Sequence, residues 1–151
     1  MLPLWMDYQR STLLWKCELL DGGDLARQGV PPSPLSLLGI VRHMTLVEWS
    51  WFEKVFAGNS TPRPLAVDPE SDDDWNDLEP SRAMEDIGRF ERQCEVSRGI
   101  VASAPSFDDI AANAQDTISL RWILVHMIEE YARHNGHADF LREQIDGAVG
   151  E

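Results

Sequence analysis

The stretch LSLLGIVRHMTLVEWSWFEKVFAG, residues 35–58, has the period of an amphipathic helix and decides the fold class. Its apolar residues recur at steps of three and four: Leu37, Ile40, Val41, Met44, Val47, Trp51 and Val55. Ser33 is the expected N-cap, with Pro34 at the first helical position, where its missing N–H costs nothing. We predict a helix that runs to about Ala57 and ends at Gly58 in a left-handed cap.

Three further helices are predicted, and no strand. The first runs from about Leu4 to Leu20, the third from near Ser81 to Ala104, and the fourth from near Thr117 to Asp146. The apolar residues that indicate the first helix are Leu4, Trp5, Tyr8, Trp15 and Leu19. Four helices of this length predict an all-α fold, a four-helix bundle that builds its sites from inward side chains on facing helices.

The connection between the second and third helices, residues 59–80, is longer than most. It contains acidic residues, namely Asp68, Glu70, Asp72, Asp73, Asp74, Asp77 and Glu79. They do not have the spacing of a calcium loop, because a loop that starts at Asp72 would need glycine at Asp77 and glutamate at Ala83. We expect a solvated connection that Trp75 and Leu78 hold against the bundle.

Composition narrows the class of protein and its partners. The chain has 151 residues, 43% of them hydrophobic, which predicts one domain spanning residues 1–151. A net charge of −13 makes nucleic acid and anionic membranes poor partners. Without a signal sequence or a long apolar run, a cytoplasmic location is expected. Cys17 and Cys94 stand far apart and are interpreted as free, buried thiols.

Polar side chains are concentrated in EEYARHNGH, residues 129–137. Glu130 and His134 are four residues apart, so on a helix they lie on one face and can hold the same ion. His126 and His137 lie on the same stripe. The remaining histidine of the chain, His43, lies in the middle of the second helix, near its apolar stripe.

These residues allow two interpretations. A histidine from one helix with a Glu/His pair from another forms a three-ligand set that suits zinc, nickel or iron(II) and leaves a position open for water or substrate. Alternatively, Glu130 and His134 are an ordinary surface pair, and His43 is a satisfied core histidine. Spacing alone does not decide between them.

The sequence resembles the DinB/YfiT-like superfamily, in particular small members related to mycothiol-dependent maleylpyruvate isomerases. The resemblance covers nearly the whole chain and rests on residues 7–20, on residues 35–58 and, most specifically, on SLRWILVHMIEEYARHNGHADFLREQIDG, residues 119–147. It implies a four-helix bundle with a long crossing between the second and third helices.

The resemblance also implies a divalent metal, zinc first and nickel or iron next, held by His43, Glu130 and His134. Many relatives have His-x-x-x-His where this chain has Glu130-x-x-x-His134. His137 is expected to contact the cofactor or substrate, and Arg133 is a further candidate for cofactor binding. The resemblance does not decide whether His137 or His126 replaces Glu130 as a ligand.

Characterised relatives are thiol-dependent transferases and isomerases, which predicts a metal-dependent S-transferase or isomerase using mycothiol, bacillithiol or a similar thiol. Its partners would be a small-molecule thiol and an electrophile, and a homodimer is a further expectation. The alternatives are a non-catalytic, stress-related metal- or ligand-binding protein and a metal-dependent hydrolase. Gly136 either clears room beside the metal or permits tight helix packing.

Overall fold

The computed structural model describes residues 1–65, 73–114 and 116–150, and these residues are mainly helical. The α-helices are α1 (Leu2–Cys17), α2 (Gly22–Ala26), α3 (Leu37–Glu48), α4 (Asp73–Asn76), α5 (Ala83–Ser103) and α6 (Leu120–Asp146). A π-helix, Trp49–Phe56, continues α3, and a 3-10 turn, Pro80–Arg82, precedes α5. No strand occurs in the described ranges, so the predicted all-α bundle is confirmed.

The four long helices of the bundle are α1, α3 with its π-helical continuation, α5 and α6, and they run up, down, down and up. Gln9 bonds to Asn135, and Lys16 pairs with Asp139 further along, so α1 and α6 run in the same direction. On the opposite side of the bundle, α3 and α5 are also parallel, because Arg42 pairs with Asp86 and, further along, Glu53 bonds to Gln93. Since parallel neighbours cannot be joined by a tight turn, the chain needs the long connection predicted between them.

The helices α3 and α6 are in contact and run antiparallel. His43 lies beside His134, whereas Trp51, near the other end, lies beside Trp122. This antiparallel contact brings the middle of the second predicted helix against the polar stripe of the last one. None of the described helices is long and apolar enough to cross a membrane.

The ends of the helices correct the expected boundaries. Ser36, not Ser33, caps α3, because its Oγ accepts a hydrogen bond from Gly39 N at 3.1 Å. The Oγ of Ser33 accepts from Leu35 N instead, in a local turn that keeps this segment out of the helix. The expected cap at Gly58 is present, with φ of +68°.

A short helix, α2, was not predicted. It begins at Gly22, where the sequence suggested only a stop, and Asp21 caps it by accepting from Asp24 N at 2.9 Å. A Cβ on Gly22 would lie 2.0 Å from the carbonyl oxygen of Pro80, so only glycine permits this close approach. In the long connection, Asp68, Glu70 and Asp72 lie outside the described residues.

The π-helix widens the second predicted helix, which was expected to be regular. Its last carbonyls accept hydrogen bonds from another loop: Ala112 N donates to Phe56 O at 2.9 Å and Asn113 N donates to Val55 O at 3.0 Å. Because a π turn holds an extra residue, the side chains after Glu48 are rotated relative to a continuous α-helix. Such segments are frequent at functional sites, and this one adjoins the candidate site.

The apolar stripe predicted for the first helix does not mark its buried side. The buried face of α1 contains Met6, Leu13 and Cys17, together with Arg10 and Lys16, whose charges are paired. The predicted stripe is exposed: Leu4, Trp5, Tyr8, Trp15 and Leu19. The helix therefore has apolar side chains on two faces. The period of the apolar residues predicted that a helix forms, but it did not predict which face is buried.

Candidate metal centre

The structure brings His43, Glu130 and His134 together at the contact between α3 and α6. One ligand atom from each lies within 4.8 Å of the other two. His134 Nε2 is 3.5 Å from Glu130 Oε2, and the ring centroids of His43 and His134 are 4.9 Å apart. Donors bound to one tetrahedral zinc at roughly 2.0–2.1 Å lie about 3.3 Å apart. The three side chains therefore have nearly the separation that a shared cation requires.

The electrostatics of His134 favour a neutral imidazole. Burial lowers its pKa to about 4, and the nearby His43 and His137 rings act in the same direction. Above this pKa the ring has a nitrogen lone pair with which it can bind a cation.

Two imidazole nitrogens beside the site have no partner in the described part of the chain. They are the buried Nδ1 atoms of His134 and His137, whose ring centroids are 5.4 Å apart. A buried polar atom without a hydrogen bond is unfavourable and usually indicates a missing ion, water or ligand. His137 thus lies beside His134, at the edge of the candidate site.

Trp75 covers the site from the long connection. Its ring stacks on His43, with centroids 4.6 Å apart and planes 28° apart, and lies 5.8 Å from the ring of His134. The expectation that Trp75 and Leu78 hold the connection against the bundle is confirmed, because both side chains pack on the core. This packing places an indole over two of the three candidate ligands.

A second group of possible ligands adjoins the first and shares Glu130. It consists of His126, Glu129 and Glu130, whose ligand atoms also lie within 4.8 Å of one another. His126 is held between two indoles, stacked on Trp122 at 5.0 Å and edge-on to Trp51 at 4.8 Å. The geometry thus keeps His126 beside Glu130.

Arg133, Arg142 and Gly136 do not converge on the three candidate ligands. The guanidinium of Arg133 is exposed and pairs with Glu129. Arg142 donates to the carbonyl oxygens at the end of α1. A Cβ on Gly136 would meet no described atom within 4 Å, so tight packing inside the chain does not explain this glycine.

Sequence reasoning missed a buried polar network behind the site. Arg10 donates to both oxygens of Glu48 at 2.8 Å, and the Tyr131 hydroxyl donates to Glu48 Oε1 at 2.7 Å. The network joins α1, α3 and α6 next to the residues that carry the site. The burial of Glu48 could have been predicted from the sequence, because Glu48 follows Val41 and Met44 at the three- and four-residue steps of the buried face of α3.

Cys17 and Cys94 are buried free thiols, as predicted. Burial raises the pKa of each to about 12, and the negative charge of Glu48 acts in the same direction on Cys94. Both are therefore protonated at neutral pH and are poor nucleophiles. A reacting thiol would have to come from a separate molecule.

Comparison with known proteins identifies a family. A family model described as mycothiol-S-transferase matches residues 1–147, nearly the whole chain. No curated protein and no solved structure matches the sequence. The match agrees with the helical fold and with the earlier resemblance. The chain belongs to the mycothiol S-transferase family, within the DinB/YfiT-like superfamily.

Proposed function

We propose that the protein is a metal-dependent thiol S-transferase of the mycothiol type, with a divalent cation held by His43, Glu130 and His134. The observation that carries the proposal is the convergence of these three side chains, from two antiparallel helices, beneath Trp75. The family match over residues 1–147 supports the class of reaction.

The donor set fits a cation that also accepts a substrate. Two imidazoles and one carboxylate suit zinc, which we put first, and also nickel or iron(II). Three protein ligands leave at least one position open, as in catalytic rather than structural zinc sites. The neutral His134 and the negative charge of Glu130 make the set suitable for a divalent ion.

A bound cation of this kind would lower the pKa of a thiol that reaches its open position. We assign the remaining roles to groups of the chain. To His137, whose ring lies 5.4 Å from that of His134 and whose Nδ1 has no described partner, we assign the role of accepting a proton or orienting the thiol. Trp75 covers His43 and excludes water from that side.

The electrophile would enter from a cavity beside His43. This cavity has a volume of about 390 Å³, which is in the range of small-molecule sites. Its walls combine apolar and cationic side chains: Leu46, Val47, Trp49, Ser50, Trp51, Lys54 and Arg63. We propose that a small-molecule thiol and an electrophile are the partners and that the protein works in the cytoplasm as a single domain.

Elemental analysis of untagged protein, combined with a transfer assay, tests the proposal. We expect near-stoichiometric metal in the native chain and its loss in His43→Ala and His134→Ala. The matched control is His126→Ala, which removes another histidine of the same stripe and should keep the metal. Mycothiol and a model electrophile should give a conjugate with the native protein, and not with the two metal-free variants.

Each outcome distinguishes the alternatives. A native protein that stays metal-free after reconstitution refutes the three-ligand centre. Metal without conjugation, tested with mycothiol, bacillithiol and glutathione, indicates a binding protein. Metal-dependent ester or amide cleavage without any thiol indicates a hydrolase. Loss of metal in His126→Ala but not in Glu130→Gln would replace Glu130 with His126 as the third ligand.

A further inference from the structure

A cavity that the proposed function does not use lies between the first half of α1, the end of α5 and the beginning of α6. Its volume is about 470 Å³, which is within the range of small-molecule sites. Most of its lining side chains are apolar, among them Met6, Val101, Phe107 and Leu124. None of the three candidate metal ligands lines it. We call it the α1–α5 cavity.

One part of the wall of the α1–α5 cavity is charged, and its groups are held in place. Arg98 Nε donates to Asp7 Oδ1 at 2.8 Å, and Arg10 Nη1 donates to the same oxygen at 3.0 Å. Arg10 is 4% exposed and is held in turn by Glu48. An apolar cavity with a few fixed polar groups is the usual composition of a site that binds and orients a small molecule.

The ion pair between Asp7 and Arg98 keeps hydrogen-bonding capacity that the chain does not use. Within the described ranges, Asp7 Oδ2 accepts no hydrogen bond, since both guanidiniums bond to Oδ1. Arg98 Nη2 likewise donates none there, because Nε bonds to Asp7 and Nη1 to Glu95. Burial raises the pKa of Asp7, but the hydrogen bonds from Arg98 and Arg10 lower it by more, so the carboxylate is ionised at neutral pH. The wall therefore offers one acceptor next to one donor.

The charges around the α1–α5 cavity favour an uncharged ligand. Arg10 is paired with Glu48, and Arg98 is paired with both Asp7 and Glu95. An anion would therefore meet no uncompensated cation, and it would enter a chain of net charge −13. A cation at Asp7 would lie beside two guanidiniums. A neutral group that both donates and accepts meets neither cost.

We propose that the α1–α5 cavity binds a small, uncharged, mainly aromatic molecule that carries an amide. The rings lie against Met6, Phe107 and Leu124. The amide N–H donates to Asp7 Oδ2, and the amide carbonyl accepts from Arg98 Nη2. Carboxamides, lactams and ureas have this donor and acceptor close together, and both hydrogen bonds involve a charged partner, which strengthens them. The proposal is independent of the proposed function, because no candidate metal ligand takes part.

Methyl NMR of the native chain labelled at its methionines tests the site with 2-naphthamide as the probe. Met6 lines the α1–α5 cavity and is 1% exposed, whereas Met84 does not line it and is 70% exposed. The Met6 methyl signal should shift in a saturable manner while that of Met84 stays constant. We expect a dissociation constant of about 1 mM or lower, which is typical of a ligand of this size.

Two analogues of the probe test the chemistry of the ligand. The N,N-dimethyl derivative of 2-naphthamide keeps the rings and the carbonyl but has no N–H to donate to Asp7. The anion 2-naphthoate keeps the shape but adds a charge and removes the donor. Each should bind at least tenfold more weakly than 2-naphthamide, because the Asp7 carboxylate would lose water without gaining a hydrogen bond.

Two pairs of variants locate the site. Ala102→Phe fills the cavity from an exposed lining position and should abolish the Met6 shift, whereas Ser103→Phe, at the next exposed residue, should not. Arg98→Met removes the donor and should weaken binding about tenfold. Arg92→Met is its control, since Arg92 is exposed on the same helix and does not line the α1–α5 cavity. Circular dichroism should show native helix content in all four variants.

Three results would overturn the proposal. The first is a Met6 signal that does not move at 1 mM 2-naphthamide. The second is equal binding by Ala102→Phe and Ser103→Phe, which would place the probe elsewhere. The third is binding of 2-naphthoate or of the dimethyl derivative as tightly as 2-naphthamide, which would exclude recognition of a neutral amide by Asp7 and Arg98.

Discussion

Replacing Glu48 with Gln should destabilise the protein strongly, because it removes one charge from an ion pair buried between α1 and α3. Glu48 and Arg10 are both buried, and two hydrogen bonds of 2.8 Å join them. Tyr131 donates a third hydrogen bond to the same carboxylate at 2.7 Å. Gln keeps the shape of Glu but cannot accept from Arg10 at both positions.

The expected cost follows from the charge that is left behind. In the native chain burial lowers the pKa of Arg10, and the charge of Glu48 raises it by more. Without Glu48, Arg10 still keeps its proton, because a guanidinium is not deprotonated at neutral pH. A buried charge that loses its partner typically costs about 3–5 kcal/mol of unfolding free energy. Asp7 is half-exposed and its carboxylate lies 3.0 Å from the Arg10 guanidinium, so it continues to pair with Arg10 in the variant. We therefore expect a cost at the lower end of this range, about 3 kcal/mol.

Urea unfolding monitored by circular dichroism measures this cost. In a chain of this length, about 3 kcal/mol corresponds to a fall of roughly 6–12 °C in Tm. The double variant Arg10→Met with Glu48→Gln should be less destabilised than Glu48→Gln alone, because it leaves no unpaired cation. The coupling energy from the complete cycle should be about 2 kcal/mol or more.

The matched control is Glu53→Gln. Glu53 is also buried, but its carboxylate accepts hydrogen bonds from the neutral groups of Gln93 and Thr61, which an amide can satisfy after rotation. Its cost should stay near 1 kcal/mol. If Glu48→Gln costs no more than Glu53→Gln, or if the double-mutant cycle shows no coupling, the argument from an uncompensated charge is wrong.

Three further predictions concern the candidate site. In metal-free protein the pKa of His134 is about 4, against 6.5 when unfolded, so only the unfolded state gains this proton between those values. The free energy of unfolding should therefore fall by about 3 kcal/mol from pH 6.5 to 4. The His134→Gln variant should lack this component, so a variant profile parallel to the native one would contradict the prediction. Gly136→Ala should raise the unfolding free energy by about 1 kcal/mol, because a Cβ there meets open space; a lower Tm would refute this. Trp75→Ala should release metal to a chelator about tenfold faster than Trp75→Phe, through loss of stacking on His43; equal rates would show that the indole is not a cover.

The long helices were predictable because local signals define them. The steps of three and four in Leu37, Val41 and Met44 report helical geometry directly, and Gly58 and Gly147 end their helices in the left-handed conformation. The N-cap of α3 was harder to place. Both Ser33 and Ser36 can cap, and only the path of the chain selects Ser36.

Only part of the candidate site could be predicted from local sequence. Glu130 and His134 are four residues apart, so their proximity needs nothing beyond the helix itself. His43 is 87 residues away from Glu130 along the chain, and it reaches the pair only because α3 and α6 cross in opposite directions. The position of Trp75 over the site likewise depends on how the long connection folds back.

The sequence by itself determined the helical class, the approximate extent of the long helices and the polar stripe of the last one, because these depend on neighbours within a few residues. Only the tertiary structure decided which face of each helix is buried. Arg10 could enter the core because Glu48, on another helix, compensates its charge. Leu4 and Tyr8, although apolar, remained on the surface. Burial is decided by what a side chain meets across the bundle, and hydrophobicity along the chain does not contain that information.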